Sequence, residues 1–235
     1  MPVAAQWHRQ VFSDLTTPLP LKPGGTLVIG IVGGWEPWDK PYRLVRRICL
    51  SLRAEAAPGI YIETVENHRV ELARELILKA FDFDEDGRLS EAERAQARIV
   101  IYGHSLGGSA TVELCRWLSE QGMTVLLSVQ IDSVGFHDAK VPSNVRAAAN
   151  LYQHDIGPMR GQARIRAEDK QRTEILGNWR YRYPPWKYVN TEEETPLLRM
   201  LMIPHLKMQF DPEVWERVEG LIRLAISSNA PSGKQ

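Results

Sequence analysis

Cysteine is scarce in this chain. Only Cys49 and Cys115 occur, too few for a disulfide framework, and both fall inside apolar helical patterns, where a free thiol behaves as a small hydrophobe. Long hydrophobic runs are lacking as well: no stretch of about 18 apolar residues occurs, so no integral membrane segment is expected. Residues 1–20 have neither the basic start nor the unbroken apolar stretch of a secretory signal. The cytoplasm is therefore the default expectation, although a secreted chain whose signal had already been removed would read the same. An excess of charge of one sign is also missing. The 29 basic and 29 acidic residues cancel, so no whole-protein field points to nucleic acid or to an anionic membrane.

What is present is ordinary globular material, 43% hydrophobic and 25% charged over 235 residues, enough for one α/β domain with a sizeable core. We read residues 1–235 as a single domain with its core at about 26–226. Residues 26–32 (TLVIGIV) form an apolar run between glycine pairs, as a strand buried on both faces of a parallel sheet requires. Asp39 and Pro41 signal a helix start, Leu44, Val45, Ile48 and Leu52 recur at helical spacing, and Pro58-Gly59 ends it. The alternation continues with a strand at 60–65, a helix at 68–81, a strand at 99–102, a helix at 107–121 closed by Gly122, and a strand at 124–131. A weaker strand follows at 147–152, and Asp211-Pro212 open a last helix with Val214, Val218, Leu221, Ile222 and Ala225 on its buried face. Such trading of strand and helix predicts a doubly wound, mostly parallel sheet with helices on both faces. Between residues 155 and 204 the periodicity fails and aromatics crowd together, which reads as a cap-like excursion or lid.

Gly103-His104-Ser105-Leu106-Gly107 fits G-x-S-x-G directly after one strand and directly before a helix. The bare pattern arises by accident in about one chain of this size in fourteen, so the context carries the weight. A serine on a tight strand-to-helix turn needs small neighbours, and Gly103, Gly107 and Gly108 supply them. The stretch YGHSLGGSA resembles the nucleophile elbow of α/β-hydrolases, especially lipases and esterases, and the order of elements from 26 to 226 is similar too.

The resemblance implies an α/β-hydrolase fold, Ser105 as a covalent nucleophile, and an oxyanion hole made by the amide of Leu106 and one from the loop Gly33-Gly34-Trp35, with Gly34 and Trp35 as candidate donors. Serine is a weak nucleophile until a histidine takes its proton and a carboxylate fixes the histidine tautomer. In this fold the order is serine, acid, histidine, with the histidine just ahead of the final helix. His205 has that place; His8 and His68 precede the serine, His104 lies inside the elbow, and His137 and His154 come early. Asp132, closing the strand at 124–131, is the preferred acid, and Asp155, after the weaker strand, is the alternative.

A second motif concerns a metal. Residues 82–93, DFDEDGRLSEAE, fit D-x-D-x-D-G-x5-E throughout, an accident expected on the order of once in three thousand such chains. The stretch resembles the calcium loop of an EF-hand. That resemblance implies side-chain ligands from Asp82, Asp84 and Asp86, the carbonyl of Arg88, Ser90 through water, and both oxygens of Glu93, with Gly87 at the sharp turn. Hard oxygen donors select calcium over a transition metal. The loop has no second copy to pair with, unlike most EF-hands.

The leading expectation is a serine hydrolase acting on a small-molecule ester or acyl substrate, with a structural calcium ion and no organic cofactor. Two rivals stay open: an α/β-hydrolase-fold protein that keeps the pocket for binding alone, and a calcium-responsive interaction module. Trp35, Trp38 and the aromatics of 179–188 suggest either an apolar substrate pocket or simple packing. Oligomeric state is not written in these patterns.

Overall fold

The structure is a computed structural model, and it describes residues 9–155, 157, 159–201 and 203–228. In chain order its strands are β1 (Thr26–Val32), β2 (Ile60–Glu66), β3 (Arg98–His104), β4 (Val125–Ile131), β5 (Lys140–Val141), β6 (Val145–Gln153), β7 (Arg166–Ala167) and β8 (Glu174–Tyr181). The helices are α1 (Leu44–Glu55), α2 (Val70–Phe81), α3 (Glu91–Gln96), α4 (Leu106–Glu120), α5 (Pro196–Leu201), α6 (Ile203–Phe210) and α7 (Pro212–Ser228). Six strands form one sheet in the order β2-β1-β3-β4-β6-β8, every pair parallel, while β5 and β7 make a separate two-residue pairing.

The apolar runs follow from burial on both faces. Along β1, Leu27, Ile29 and Ile31 point to one side and pack with Leu72, Leu76 and Ile77 of α2 and Leu114 and Leu118 of α4. Val28 and Val32 point to the other and pack with Val45 and Ile48 of α1 and Val214, Val218 and Ile222 of α7. A two-residue period in the strand thus meets 3.6-residue stripes above and below. Each such Ile or Leu, taken fully out of water, contributes about 1.5–3 kcal/mol. Gly30 breaks the run for a steric reason: a Cβ there would lie 2.5 Å from the Tyr102 ring, which crosses over it to donate to the carbonyl of Val45 at 2.8 Å.

Three sequence expectations need correction. Residues 155–204 are not an excursion throughout, because β8 lies within them as an edge strand of the main sheet and α5 follows. An edge strand has one flank open to water, and in EILGNWRY every side chain before Tyr181 is exposed or half-buried, so no apolar run marked it. The aromatics of that segment divide. Tyr181 and Tyr183 are buried in the core on the α1 and α7 side of the sheet with Trp179 packed against it, whereas Trp186 and Tyr188 are exposed. Finally, α1 starts later than Asp39 and Pro41 suggested, at Leu44 with Arg43 as its N-cap in extended conformation.

Both thiols are buried and free. Burial pushes Cys49 up to about 11 and Cys115 up to about 12, so neither offers a thiolate near neutral pH. No helix among the described residues is long and apolar enough to cross a membrane.

Candidate active site

Parallel strands leave their carboxyl ends on one edge, and the candidate residues gather there. Ser105 sits between β3 and α4 with φ 58° and ψ −124°, a conformation that costs about 1–3 kcal/mol for a non-glycine residue and persists only where its surroundings enforce it. Two hydrogen bonds clamp its carbonyl, from Gly108 N at 2.9 Å and Val134 N at 3.1 Å, and its own amide donates to Ile131 O at 3.0 Å. The glycines are there for clearance. A Cβ at Gly103 would lie 2.3 Å from Gly107 O, one at Gly107 2.1 Å from Ile31 O, and one at Gly108 2.7 Å from Ser133 Cβ.

His205, on α6, brings its Nε2 to 3.0 Å from Ser105 Oγ and its Nδ1 to 2.7 Å from Asp132 Oδ2. All three side chains are buried, with Ser105 5%, His205 3% and Asp132 0% exposed, so little water competes for these bonds. Asp132 is over-determined: Oδ1 accepts from Gln153 N and Oδ2 from Gln153 Nε2, both at 3.0 Å, while its amide donates to Leu151 O at 2.7 Å. Gly161 closes the pocket behind it, where a Cβ would stand 2.0 Å from Oδ1. With Nδ1–H donated to the carboxylate, Nε2 is left as the acceptor for the serine hydroxyl. Asp155, the alternative acid, touches this network only through its amide, which donates to Gln153 Oε1 at 3.0 Å. Its carboxylate accepts from Tyr183 N and pairs with Arg180 at 3.4 Å.

Several neighbours escaped the sequence reading. His104 is buried and stacks on His205, ring centroids 4.8 Å apart at 23°. Burial, then the neighbouring His205 and Arg43, hold its pKa well below the usual histidine value, so it stands neutral. Arg43 meets Glu36 at 3.2 Å, Gln209 Oε1 at 3.4 Å, and Glu194. Burial raises the pKa of Glu36 against the pull of Arg43. Gln153, Arg43 and Glu194 belong to no motif, and apart from Glu36 and Asp155 the partners named here stand 21 or more residues away, so no local pattern marked them.

Of the expected oxyanion elements, Leu106 follows the serine directly and the 33–35 loop reaches it through Gly33. Leu106 opens α4, where the first amides of a helix have no intrahelical partner. Gly33 packs so closely that a Cβ would be 2.9 Å from Ser105 Cβ, Gly34 adopts φ +48°, and the Trp35 ring is exposed beside His68 at 5.1 Å.

At the acidic loop, carboxylate oxygens of Asp82, Asp84 and Asp86 lie within 4.8 Å of one another, and Gly87 takes φ +80°. Glu93 is elsewhere. Its Oε1 accepts from Phe83 N and its Oε2 from Ser90 N and Ser90 Oγ, each at 2.7 Å, while Ser90 Oγ accepts from Glu93 N at 3.3 Å. Ser90 and Glu93 thus form the capping box of α3, and the bonds from Ser90 lower the pKa of the Glu93 carboxyl. Arg88 donates its amide to Asp86 Oδ1 at 2.8 Å. The three aspartates suit a hard cation, and Glu93 would have to exchange its backbone partners to join them.

The six-stranded parallel sheet with helices on both faces and a serine elbow after β3 matches an α/β-hydrolase fold. Comparison with known proteins adds no closer relation. No protein-family model and no curated protein matches the chain. Among solved structures it is similar to the type II thioesterase BorB from the borrelidin biosynthetic cluster, at 11% identity over 88% of this chain and 95% of that one, with a TM-score of 0.44. It is also similar to a cutinase-like protein from Cryptococcus sp., at 18% identity over 51% of this chain and 60% of that one, with a TM-score of 0.27.

Proposed function

We propose that the protein is a serine hydrolase that cleaves a carboxylic ester or thioester through an acyl-enzyme. The observation that carries this reading is the continuous hydrogen-bonded chain Asp132–His205–Ser105 on a strained elbow. In the first half-reaction His205 Nε2 takes the hydroxyl proton as Ser105 Oγ adds to the acyl carbon, and Asp132 stabilises the imidazolium. The negative oxygen so formed is held by the amide of Leu106 and by an amide of the Gly34-Trp35 loop. Collapse breaks the bond to the alcohol or thiol, which leaves with the proton from His205. Water then repeats the cycle on the acyl-serine, with His205 again as base, and the acid departs. A fluorophosphonate probe tests the reading: stoichiometric labelling that maps to the peptide containing Ser105 is expected, and an unlabelled native protein overturns it.

A calcium ion at the loop 82–93 is the second part of the proposal, with a structural and not a chemical role. Asp82, Asp84 and Asp86 would hold it together with the Arg88 carbonyl, and Glu93 would complete the set by leaving its capping bonds. The loop runs into the first turn of α3, which leads directly to β3, the strand that ends in the elbow. Binding to the native state alone stabilises by about 2.7 kcal/mol at a hundredfold excess over the dissociation constant, so a calcium-dependent rise in Tm is expected. Asp84→Asn with Asp86→Asn should erase that rise and leave labelling of Ser105 unchanged. Calorimetry without a binding signal at millimolar calcium would reduce the loop to an acidic turn.

A further inference from the structure

Asn67 belongs to none of the motifs described above and takes no part in the Ser105–His205–Asp132 chain. It opens a single 3-10 turn directly after β2, and because β2 runs parallel beside β1, with Val32 opposite Glu66, the two strands deliver their loops to the same corner of the sheet edge. There the Asn67 Nδ2 donates to the carbonyl of Val32 at 3.1 Å and to the carbonyl of Gly34. The carbonyl between them, of Gly33, accepts from the amide of Glu36 at 3.0 Å.

All three carbonyls of the loop are therefore held, and this fixes its amides. In a trans peptide the C=O and the following N–H lie in one plane and point in opposite directions. Holding Gly34 O sets the direction of the Trp35 N–H, and holding Gly33 O sets that of the Gly34 N–H. Among the described residues these two amides donate to no acceptor. Gly33 meanwhile lies against the nucleophile, its hypothetical Cβ 2.9 Å from both Ser105 Cβ and His104 O. A Gly-Gly pair with φ +48° at Gly34 has no conformational stiffness of its own. One restraint is local, from the Glu36 amide, and the other two come from outside, from the single side-chain amide of Asn67.

The geometry points to Asn67 as the positioning residue of the oxyanion loop: it holds the Gly34–Trp35 peptide plane so that unpaired amides are presented to the oxygen that becomes negative during attack by Ser105. This rests on the serine-hydrolase reading above. Such donors accelerate the reaction only if they are aimed before the charge develops, so their loss is felt in the transition state more than in substrate binding.

The test compares Asn67→Ala and Asn67→Asp with the wild type in hydrolysis of a short p-nitrophenyl ester, inhibition by a trifluoromethyl ketone whose hemiketal oxyanion mimics the intermediate, fluorophosphonate labelling, and thermal melting. Losing a whole oxyanion donor costs about 100- to 1000-fold in kcat, so loosening one should lower kcat about ten- to a hundredfold with KM changed less than about threefold, and weaken the ketone in parallel with kcat. Asp, which keeps the size of Asn but has no N–H to donate, should be no better than Ala, and it carries the test if Ala fails to fold. Folded variants with wild-type kcat and ketone affinity overturn the assignment of Asn67. So does a fall in Tm without parallel loss of kcat and ketone affinity, which marks a purely structural side chain. A wild type that the fluorophosphonate leaves unlabelled overturns the serine-hydrolase reading and the Asn67 role together, whereas a wild type labelled at Ser105 confines any failure to Asn67.

Discussion

Replacing Ser105 by alanine is expected to lower the turnover of a short p-nitrophenyl ester by about a millionfold and to abolish fluorophosphonate labelling, because in the proposed mechanism Ser105, His205 and Asp132 act as one unit. The fold should survive. The side chain contributes one hydrogen bond, to His205, whereas the elbow is held by main-chain bonds at Ser105 N and Ser105 O that alanine retains. Alanine also inherits the φ of 58° with its strain unchanged. The melting temperature should therefore move little while turnover collapses, and the pair of measurements separates a chemical role from a structural one. Wild-type turnover in the folded variant would remove Ser105 from the mechanism.

The second large effect is expected at Asp132. Asp132→Asn should lower kcat by about ten-thousandfold, and Asp155→Asn should change it by no more than a few-fold. The reason lies in the fixed donors around the carboxylate. Gln153 N can only donate, so the carbonyl oxygen of an asparagine at 132 must take the place of Oδ1. Its NH2 then replaces Oδ2 and points a donor at His205 Nδ1. Nδ1 must accept, the ring proton moves to Nε2, and the face toward Ser105 Oγ can no longer receive the hydroxyl proton. The same NH2 also confronts Gln153 Nε2, another donor, so a fall in Tm should accompany the fall in rate. Asp155 sits with Arg180 and Tyr183 N instead, and its loss should be felt in stability. The reverse ranking of the two variants in kcat would transfer the orienting role to Asp155.

The His205 neighbourhood shows why some residues were legible in advance and others were not. The elbow could be read because its constraints are local: a turn between adjacent elements demands glycines at fixed offsets, and Gly103, Gly107 and Gly108 meet that demand within a stretch of six residues. His205 could be ranked first among six histidines only through the resemblance, which implies the order serine, acid, histidine. Choosing between Asp132 and Asp155 needed contacts that span the 73 residues from Asp132 to His205. Gln153, Arg43, Glu194 and Asn67 were invisible for the same reason, since glutamine, arginine, glutamate and asparagine on a surface or in a cluster look identical until their partners are in place.

The sequence by itself determined the strand and helix succession along most of the chain, because strands buried on both faces must be apolar throughout and the helices covering them must carry a 3.6-residue stripe. It also determined the elbow and the acidic loop, whose defining residues are neighbours in the chain. Tertiary structure decided that β8 completes the sheet, because an edge strand needs no apolar run, only a partner in β6 for its main-chain groups. It alone decided which carboxylate faces His205 and which amide restrains the Gly33-Gly34 loop, because hydrogen bonds act over about 3 Å and nothing in a linear pattern states which distant residues the sheet will bring that close.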